Sequence, residues 1–360
     1  MERALKGRGA STNPPGRYAR LIDSSVDDGW HQDAVPDSIA TEVRPEAARS
    51  VITRNDSPDI PFTQSINPYR GCEHGCVYCY ARPSHAYVDL SPGIDFETRL
   101  FYKADAARLL RAELTRSGYR CEPIMLGANT DPYQPVEKRL RVTRSILEVL
   151  LQTRHPVMVI TKGTLILRDL DLLQELARQQ LARVTVSLTT LDPELKRTLE
   201  PRAASPQGRL RVISALAQAG VPVSVLTAPM IPAVNDAELE SLLEAAAQAG
   251  ASRAGYVLLR LPHEVRQLFR DWLEQQLPLR AAHVMSLIQQ ARGGRDNDPR
   301  FGARMRGEGP WAAMLRARFL LACRRLGLNS ARAAELDTRA FRAPGGSGQL
   351  ELLLQEQIGS

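Results

Sequence analysis

Three of the five cysteines fall within eight residues, in the segment Asn67-Pro-Tyr-Arg-Gly-Cys72-Glu-His-Gly-Cys76-Val-Tyr-Cys79-Tyr-Ala-Arg-Pro83. Thiolates spaced C-x3-C-x2-C can wrap a metal centre. Gly71 and Gly75 free the backbone to turn closely around it. Three cysteine ligands with no fourth nearby leave a coordination position open to a small molecule, as an iron–sulfur centre allows. Zinc completed by His74 or His85 is the other arrangement that these residue types permit. Cys121 and Cys323 stand far from the group, Cys323 in a late helical segment where a buried apolar thiol is expected.

The elements that must position this loop alternate in type. Apolar runs of strand length occur at 65–66, 123–127, 157–160, 184–188, 221–226 and 256–259. Between them the apolar spacing is helical, at 103–116, 142–151, 170–176, 210–219 and 237–249, with Gly220 and Gly250 as stops. Six β-α units at short spacing predict an α/β fold with a parallel sheet, a partial (β/α)6 barrel of the TIM type rather than a closed one of eight. Residues 1–60, rich in Gly, Pro, Ser and Asp, predict an irregular N-terminal extension. Residues 61–262 form the barrel, and 263–360 a helical C-terminal region. The cysteine loop follows the first strand, so it belongs at the C-terminal ends of the strands, where parallel sheets place their sites. Cys121 precedes its strand and belongs at the opposite end.

With an aromatic residue, Tyr78, just before its third cysteine, the motif resembles the signature of radical S-adenosylmethionine (SAM) enzymes. The resemblance implies that Cys72, Cys76 and Cys79 hold a [4Fe-4S] cluster whose fourth iron chelates S-adenosylmethionine. One-electron cleavage then yields a 5′-deoxyadenosyl radical that abstracts hydrogen from a substrate, and an electron donor of flavodoxin or ferredoxin type is a partner. Asn67-Pro-Tyr-Arg-Gly-Cys72, Tyr78-Cys79-Tyr80-Ala-Arg-Pro83 and Thr130-Asp-Pro-Tyr-Gln-Pro135 resemble the subgroup related to spore photoproduct lyase. The Arg-Asp-Asn-Asp-Pro-Arg-Phe-Gly and Met-Arg-Gly-Glu-Gly-Pro-Trp words further on resemble a bacterial branch of it.

This resemblance assigns the other strand ends. Tyr78 seats the adenine through its backbone. Asn129 and Thr130 approach the amino group of S-adenosylmethionine, and Lys162 its carboxylate. Ser187 and Thr189 are suited to hydrogen bonding the amino acid or ribose, and Met230 and Ile231 to supporting the adenine, ahead of a helix cap at Asn235 or Asp236. Asp131-Pro132 begins a turn, which makes Asp131 a local cap. Tyr80 is a candidate catalytic relay of hydrogen or an electron, with packing against the cysteine loop as its other role. Photoproduct lyases carry a hydrogen-donor cysteine on the loop after the second strand, and here that position is Ala128.

Composition narrows the class without naming a function. The chain has 360 residues, 43% hydrophobic and 24% charged, with a net charge of +7. Five cysteines are too few for a disulfide scaffold. With no apolar leader segment and no run of membrane-spanning length, a cytoplasmic protein without membrane attachment is expected. Residues 292–325 carry nine arginines against three acids, with Phe301 and Trp311 interleaved, which makes nucleic acid a candidate partner. The same arginines can equally pair with acids of the N-terminal extension. Two function classes follow. One is a radical SAM enzyme acting on a nucleic-acid component. The other is a zinc-stabilised nucleic-acid-binding protein without catalysis.

Overall fold

Apolar runs become strands where one face can be buried, and the computed structural model, which describes residues 7–19, 39–331 and 335–345, places them as follows. Strands run at β1 (Glu42–Pro45), β2 (Ile52–Arg54), β3 (Gln64–Ile66), β4 (Tyr69–Arg70), β5 (Arg99–Tyr102), β6 (Ile124–Leu126), β7 (Val157–Thr161), β8 (Ala182–Ser187), β9 (Val223–Met230) and β10 (Arg253–Leu258). The main sheet has the order β10-β9-β8-β7-β6-β3-β2. Its six consecutive strands from β3 to β10 are parallel, and β2 pairs antiparallel with β3 at the edge. These six are the strands the apolar runs predict. Among the described residues β10 and β2 do not pair with each other, so the sheet is open.

Burial along the inner strands alternates. Val157, Val159, Val184, Val186, Val223 and Val225 are fully buried against helical Leu147, Leu173, Val212 and Leu242. Met125, Met158, Ile160, Thr185 and Leu226, on the other face, are only half-buried. Helices thus cover one face and leave the other without a helical layer. Proline at the first turn and a side-chain cap start two of the connecting helices: Asp192 caps Pro193–Leu199 and Ser205 caps Pro206–Gln218. Gly220 and Gly250 follow their helices at positive φ, as the stop signals require. Beyond β10 come the helices Val265–Gln276, Ala281–Gln290, Ala303–Arg306 and Gly309–Arg325.

The N-terminal extension is not wholly irregular, which corrects the expectation for 1–60. It supplies β2 to the main sheet and β1 to a second sheet of order β1-β5-β4. Both strands are short and mostly exposed, so they carry no apolar periodicity. Residues 1–6 and 20–38 of that extension, and 346–360 of the C-terminal region, lie outside the described residues.

Residues 8–10 are fastened to the core by a buried carboxylate. Glu97 accepts hydrogen bonds from the amides of Gly9 (3.0 Å) and Ala10 (2.9 Å) and pairs with Arg82 at 2.5 Å, both charged side chains being inaccessible to solvent. A Cβ on Gly9 would lie 1.7 Å from the carbonyl oxygen of Gly75, so only glycine lets this segment cross the cysteine loop. Removing one charge of a buried pair strands the other. Glu97→Gln is therefore expected to lower the unfolding free energy by about 3 kcal/mol. Urea titration checks this, and a loss below about 1 kcal/mol would contradict it.

Candidate active site

Strand β4 delivers the chain to Gly71 at φ +79°, where a Cβ would lie 2.5 Å from Leu100 Cδ2 and 2.9 Å from the Phe96 carbonyl. Only a glycine opens the loop here. The loop is then pinned from several directions. The Cys72 amide donates to Phe96 O (2.9 Å) and Arg202 N to His74 O (3.2 Å). Gln134 accepts from the Glu73 amide (2.9 Å) and donates to Gly71 O (3.1 Å), while Arg82 Nε donates to Cys76 O (2.9 Å). Cys72 and Cys76 are buried and Cys79 half-buried, all three as free thiols.

The three sulfurs feel one another. Burial pushes the Cys72 thiol well up, and Asp131, Cys76 and Cys79 push it further. Cys76 is raised to about 12 by burial and Glu200. Burial also raises Cys79, but there Arg82, the amides of Ala81 and Arg82, and Lys162 oppose it. Without a metal the loop holds thiols rather than thiolates at neutral pH, so ligation must release protons.

Two carboxylates organise the strand ends around this loop, and sequence reasoning missed what both of them do. Asp131 is not merely a local cap. It accepts from Thr161 Oγ1 (2.6 Å), the Lys162 amide (2.7 Å) and the Tyr133 amide (2.8 Å), and lies 3.3 Å from His74 Nδ1. It thereby ties the cysteine loop to the ends of β6 and β7. Burial opposes its ionisation, but His74, the Thr161 hydroxyl and the Lys162 amide outweigh burial and hold the carboxyl down to about 2. Glu200, fully buried, pairs with Arg209 and accepts from Tyr78 Oη and, at 2.6 Å, Thr189 Oγ1. Burial is again outweighed, by Arg209 and Lys162, and the carboxyl is held at about 2.

The ammonium of Lys162 lies 5.9 Å from the centroid of the Tyr78 ring and acts on Cys76, Cys79 and Glu200. It has no hydrogen bond or ion pair among the described residues. It is half-buried, not the solvated strand-end lysine of the ordinary case. Asn129 is exposed and its amide donates to Asn67 Oδ1 (2.8 Å), whereas the buried Thr130 hydroxyl is engaged by Tyr69 O (2.8 Å). Ser187 Oγ reaches Ala228 O (3.3 Å), and Thr189 Oγ1 lies 3.0 Å from the same carbonyl. Met230 and Ile231 are fully buried, Ile231 in one apolar cluster with Cys76, Val77 and Tyr78. Neither Asn235 nor Asp236 caps a helix with its side chain. Instead Asn235 knits the turn, accepting from Ile231 N (2.7 Å) and donating to Thr189 O (2.8 Å) and Pro229 O (2.9 Å). The Tyr80 hydroxyl donates to Ala128 O, so Tyr80 bridges the cysteine loop and the loop after β6. Cys121 and Cys323 lie where expected, ahead of β6 and inside the helix Gly309–Arg325.

With this arrangement in view, residues 66–246, half the chain, match the Radical SAM superfamily. The chain belongs to the radical SAM superfamily. Relatives include an uncharacterised protein of Mycobacterium tuberculosis, 42% identical over 221 residues, 61% of this chain and 65% of the relative. The chain thus spans just under two thirds of that relative's length. A second, from Methanocaldococcus jannaschii, is 27% identical over 48% of this chain and 62% of its own. A solved structure of a spore photoproduct lyase variant superposes with a TM-score of 0.54 at 15% identity, covering 79% of this chain and 80% of that one, a likeness of fold.

The radical SAM chain gives no support to the zinc arrangement. His74 is engaged by Asp131, and His85 Nε2 lies 2.9 Å from Arg99 O. Among the described residues no three His, Cys, Asp or Glu side chains converge tightly enough to hold one ion. Cluster thiolates each bind a different iron and need no such convergence. The arginines of 292–325 are partly engaged internally. Arg292 donates to Leu259 O, Arg300 pairs with Asp298, and Arg318 with Glu240. Arg304 pairs with Asp59 of the extension, as the charge balance allowed. No helix among the described residues is long and apolar enough to cross a membrane.

A carboxyl whose folded pKa lies below its unfolded value stabilises the fold above the unfolded pKa, and that contribution disappears as pH falls through the folded one. For Asp131 the window runs from about 4 down to about 2. Asp131→Asn is expected to destabilise the chain by about 2 kcal/mol at pH 7, with the gap to wild type closing between pH 4 and 2. Urea titrations across that range measure it. A gap independent of pH would show that the carboxylate charge is not what ties these elements.

Proposed function

We propose that this chain is a radical SAM enzyme that holds a [4Fe-4S] cluster through Cys72, Cys76 and Cys79 and modifies a nucleic-acid component. The observation that carries the reading is the Lys162 ammonium, without a direct hydrogen bond or ion pair among the described residues, beside two buried thiols and one half-buried thiol at the strand ends. A half-buried cation that makes no direct ion pair, its nearest carboxylate Glu200 being already paired with Arg209, is stabilised by an anionic ligand, and the carboxylate of S-adenosylmethionine supplies one. Once bound, the cluster and S-adenosylmethionine supply a 5′-deoxyadenosyl radical for hydrogen abstraction.

The chain's own residues orient and exclude water. Asn129 presents a free side chain at the mouth for the methionyl amino group, with the Thr130 hydroxyl fixing the backbone beside it. Ser187 and Thr189 hold the ends of β8 against β9. Met230 and Ile231 back the adenine wall from within, and the Tyr78 backbone borders it. Tyr80 links the cluster loop to the β6 loop and stands where a radical relay would act. Ala128, in place of a thiol, argues against a repair cycle that returns hydrogen from cysteine. A one-electron donor of flavodoxin or ferredoxin type would be the partner that supplies the electron to a cluster held by Cys72, Cys76 and Cys79.

Anaerobic reconstitution is expected to load about four irons and four sulfides per chain, with 5′-deoxyadenosine released on reduction with S-adenosylmethionine. Cys76→Ala should abolish cluster loading. Tight zinc binding without 5′-deoxyadenosine would sink the assignment. Lys162→Met should keep the cluster and weaken S-adenosylmethionine binding about tenfold or more, the loss of one charge-assisted contact. Unchanged affinity in equilibrium binding would remove Lys162 from the site.

A further inference from the structure

Two residues beyond the end of β10, Arg260 sets its guanidinium 5.3 Å from the centroid of the Tyr80 ring. Tyr80 directly follows Cys79, so this arginine stands on the rim of the thiol loop, and sequence reasoning did not single it out. It forms no ion pair among the described residues. Its Nη1 lies 3.9 Å from Met305 Sδ, and its Nε is buried without a hydrogen-bond partner. The carboxylate acting on it, Asp59, is already engaged by the Gly302 amide (2.6 Å) and Arg304 Nε (2.5 Å). Arg304 and the buried Arg292 add positive charge to the same corner. Burial lowers the Arg260 pKa, and Arg304 lowers it further, yet a guanidinium stays charged. A partly desolvated cation whose only nearby carboxylate is already engaged by other donors gains from a ligand that completes it.

The same rim displays aromatic faces. Tyr80 is 44% exposed and Phe301 61% exposed, and Arg304 Cζ lies 4.6 Å from the Phe301 centroid. Met305, in contact with Arg260, follows Arg304 directly, so the two arginine–aromatic pairs are neighbours. A guanidinium stacked on a ring can still donate from its outer edge to a phosphate oxygen. Exposed rings beside such a cation are the elements that bind unpaired strands, where bases stack on aromatics and cations follow the backbone.

We propose that this rim docks an unpaired nucleic-acid strand, with Arg260 taking a backbone phosphate and Tyr80 and Phe301 offering their faces to bases. The inference deepens the substrate class given above and rests on that reading for its role in catalysis. Its binding test does not depend on turnover.

The test is fluorescence anisotropy of the full chain with fluorescein-labelled 12-nucleotide single strands of DNA and of RNA, at several salt concentrations. Wild type is expected to bind at least one of the two. Arg260→Gln should weaken binding about tenfold and reduce the salt slope by about one ion. Phe301→Ala, at an exposed position, should weaken it severalfold, with thermal midpoint and iron content unchanged. Several outcomes would overturn the proposal: no binding by wild type, equal binding by both variants, or equal competition by inorganic phosphate alone. So would an Arg260→Gln variant that loses S-adenosylmethionine affinity while keeping oligonucleotide affinity. Failure to load a cluster would instead defeat the enzyme reading and leave the binding result standing.

Discussion

Glu97, a carboxylate with no access to solvent, sits directly beneath the thiol loop. Arg82 on one side and the amides of Gly9 and Ala10 on the other close around it. Arg82 in turn holds the Cys76 carbonyl and the carbonyls of Pro92 and Gly93. One charge pair thus fixes the curvature of the cysteine loop, the turn before β5 and the N-terminal segment together. A Cβ on Gly75 would lie 2.7 Å from Glu97 Oε2, so the loop rests on the carboxylate itself.

Asp131 and Glu200 repeat this logic on the two other sides of the site. Each is a depressed carboxylate whose hydrogen bonds come from separate strand ends. Between them Lys162 is left with positive charge to offer. Both carboxylates are held ionised by their own partners, Asp131 by His74 and Glu200 by Arg209, and each still disfavours the thiolate form of a neighbouring cysteine, Cys72 and Cys76 respectively.

The sheet was readable from the sequence because its strands are contiguous apolar runs with one buried face, and the thiol loop because its ligands are close neighbours in the chain. The organising acids were not readable. Glu97 meets Gly9 across 88 residues, Asp131 meets Thr161 across 30, and Tyr78 meets Glu200 across 122. No local pattern marks a carboxylate for a partner that distant, and Asp131 before a proline reads as an ordinary turn. Strands β1 and β2 escaped because they bury too little to be periodic. The arginines divide in space. Arg82, Arg209 and Arg292 are interior struts, while Arg260 makes no ion pair among the described residues and leaves its Nε without a hydrogen bond.

The closeness of Gly9 to Gly75 has a consequence for the order in which the molecule comes together. Residues 8–10 leave the ribosome well before their anchor at Glu97, which emerges almost ninety residues later, after all three cysteines. Closing so long a loop carries an entropic cost that only the completed anchor offsets. This segment therefore stays unfastened until Glu97 is in place. Until then the thiol loop lies uncovered on that side.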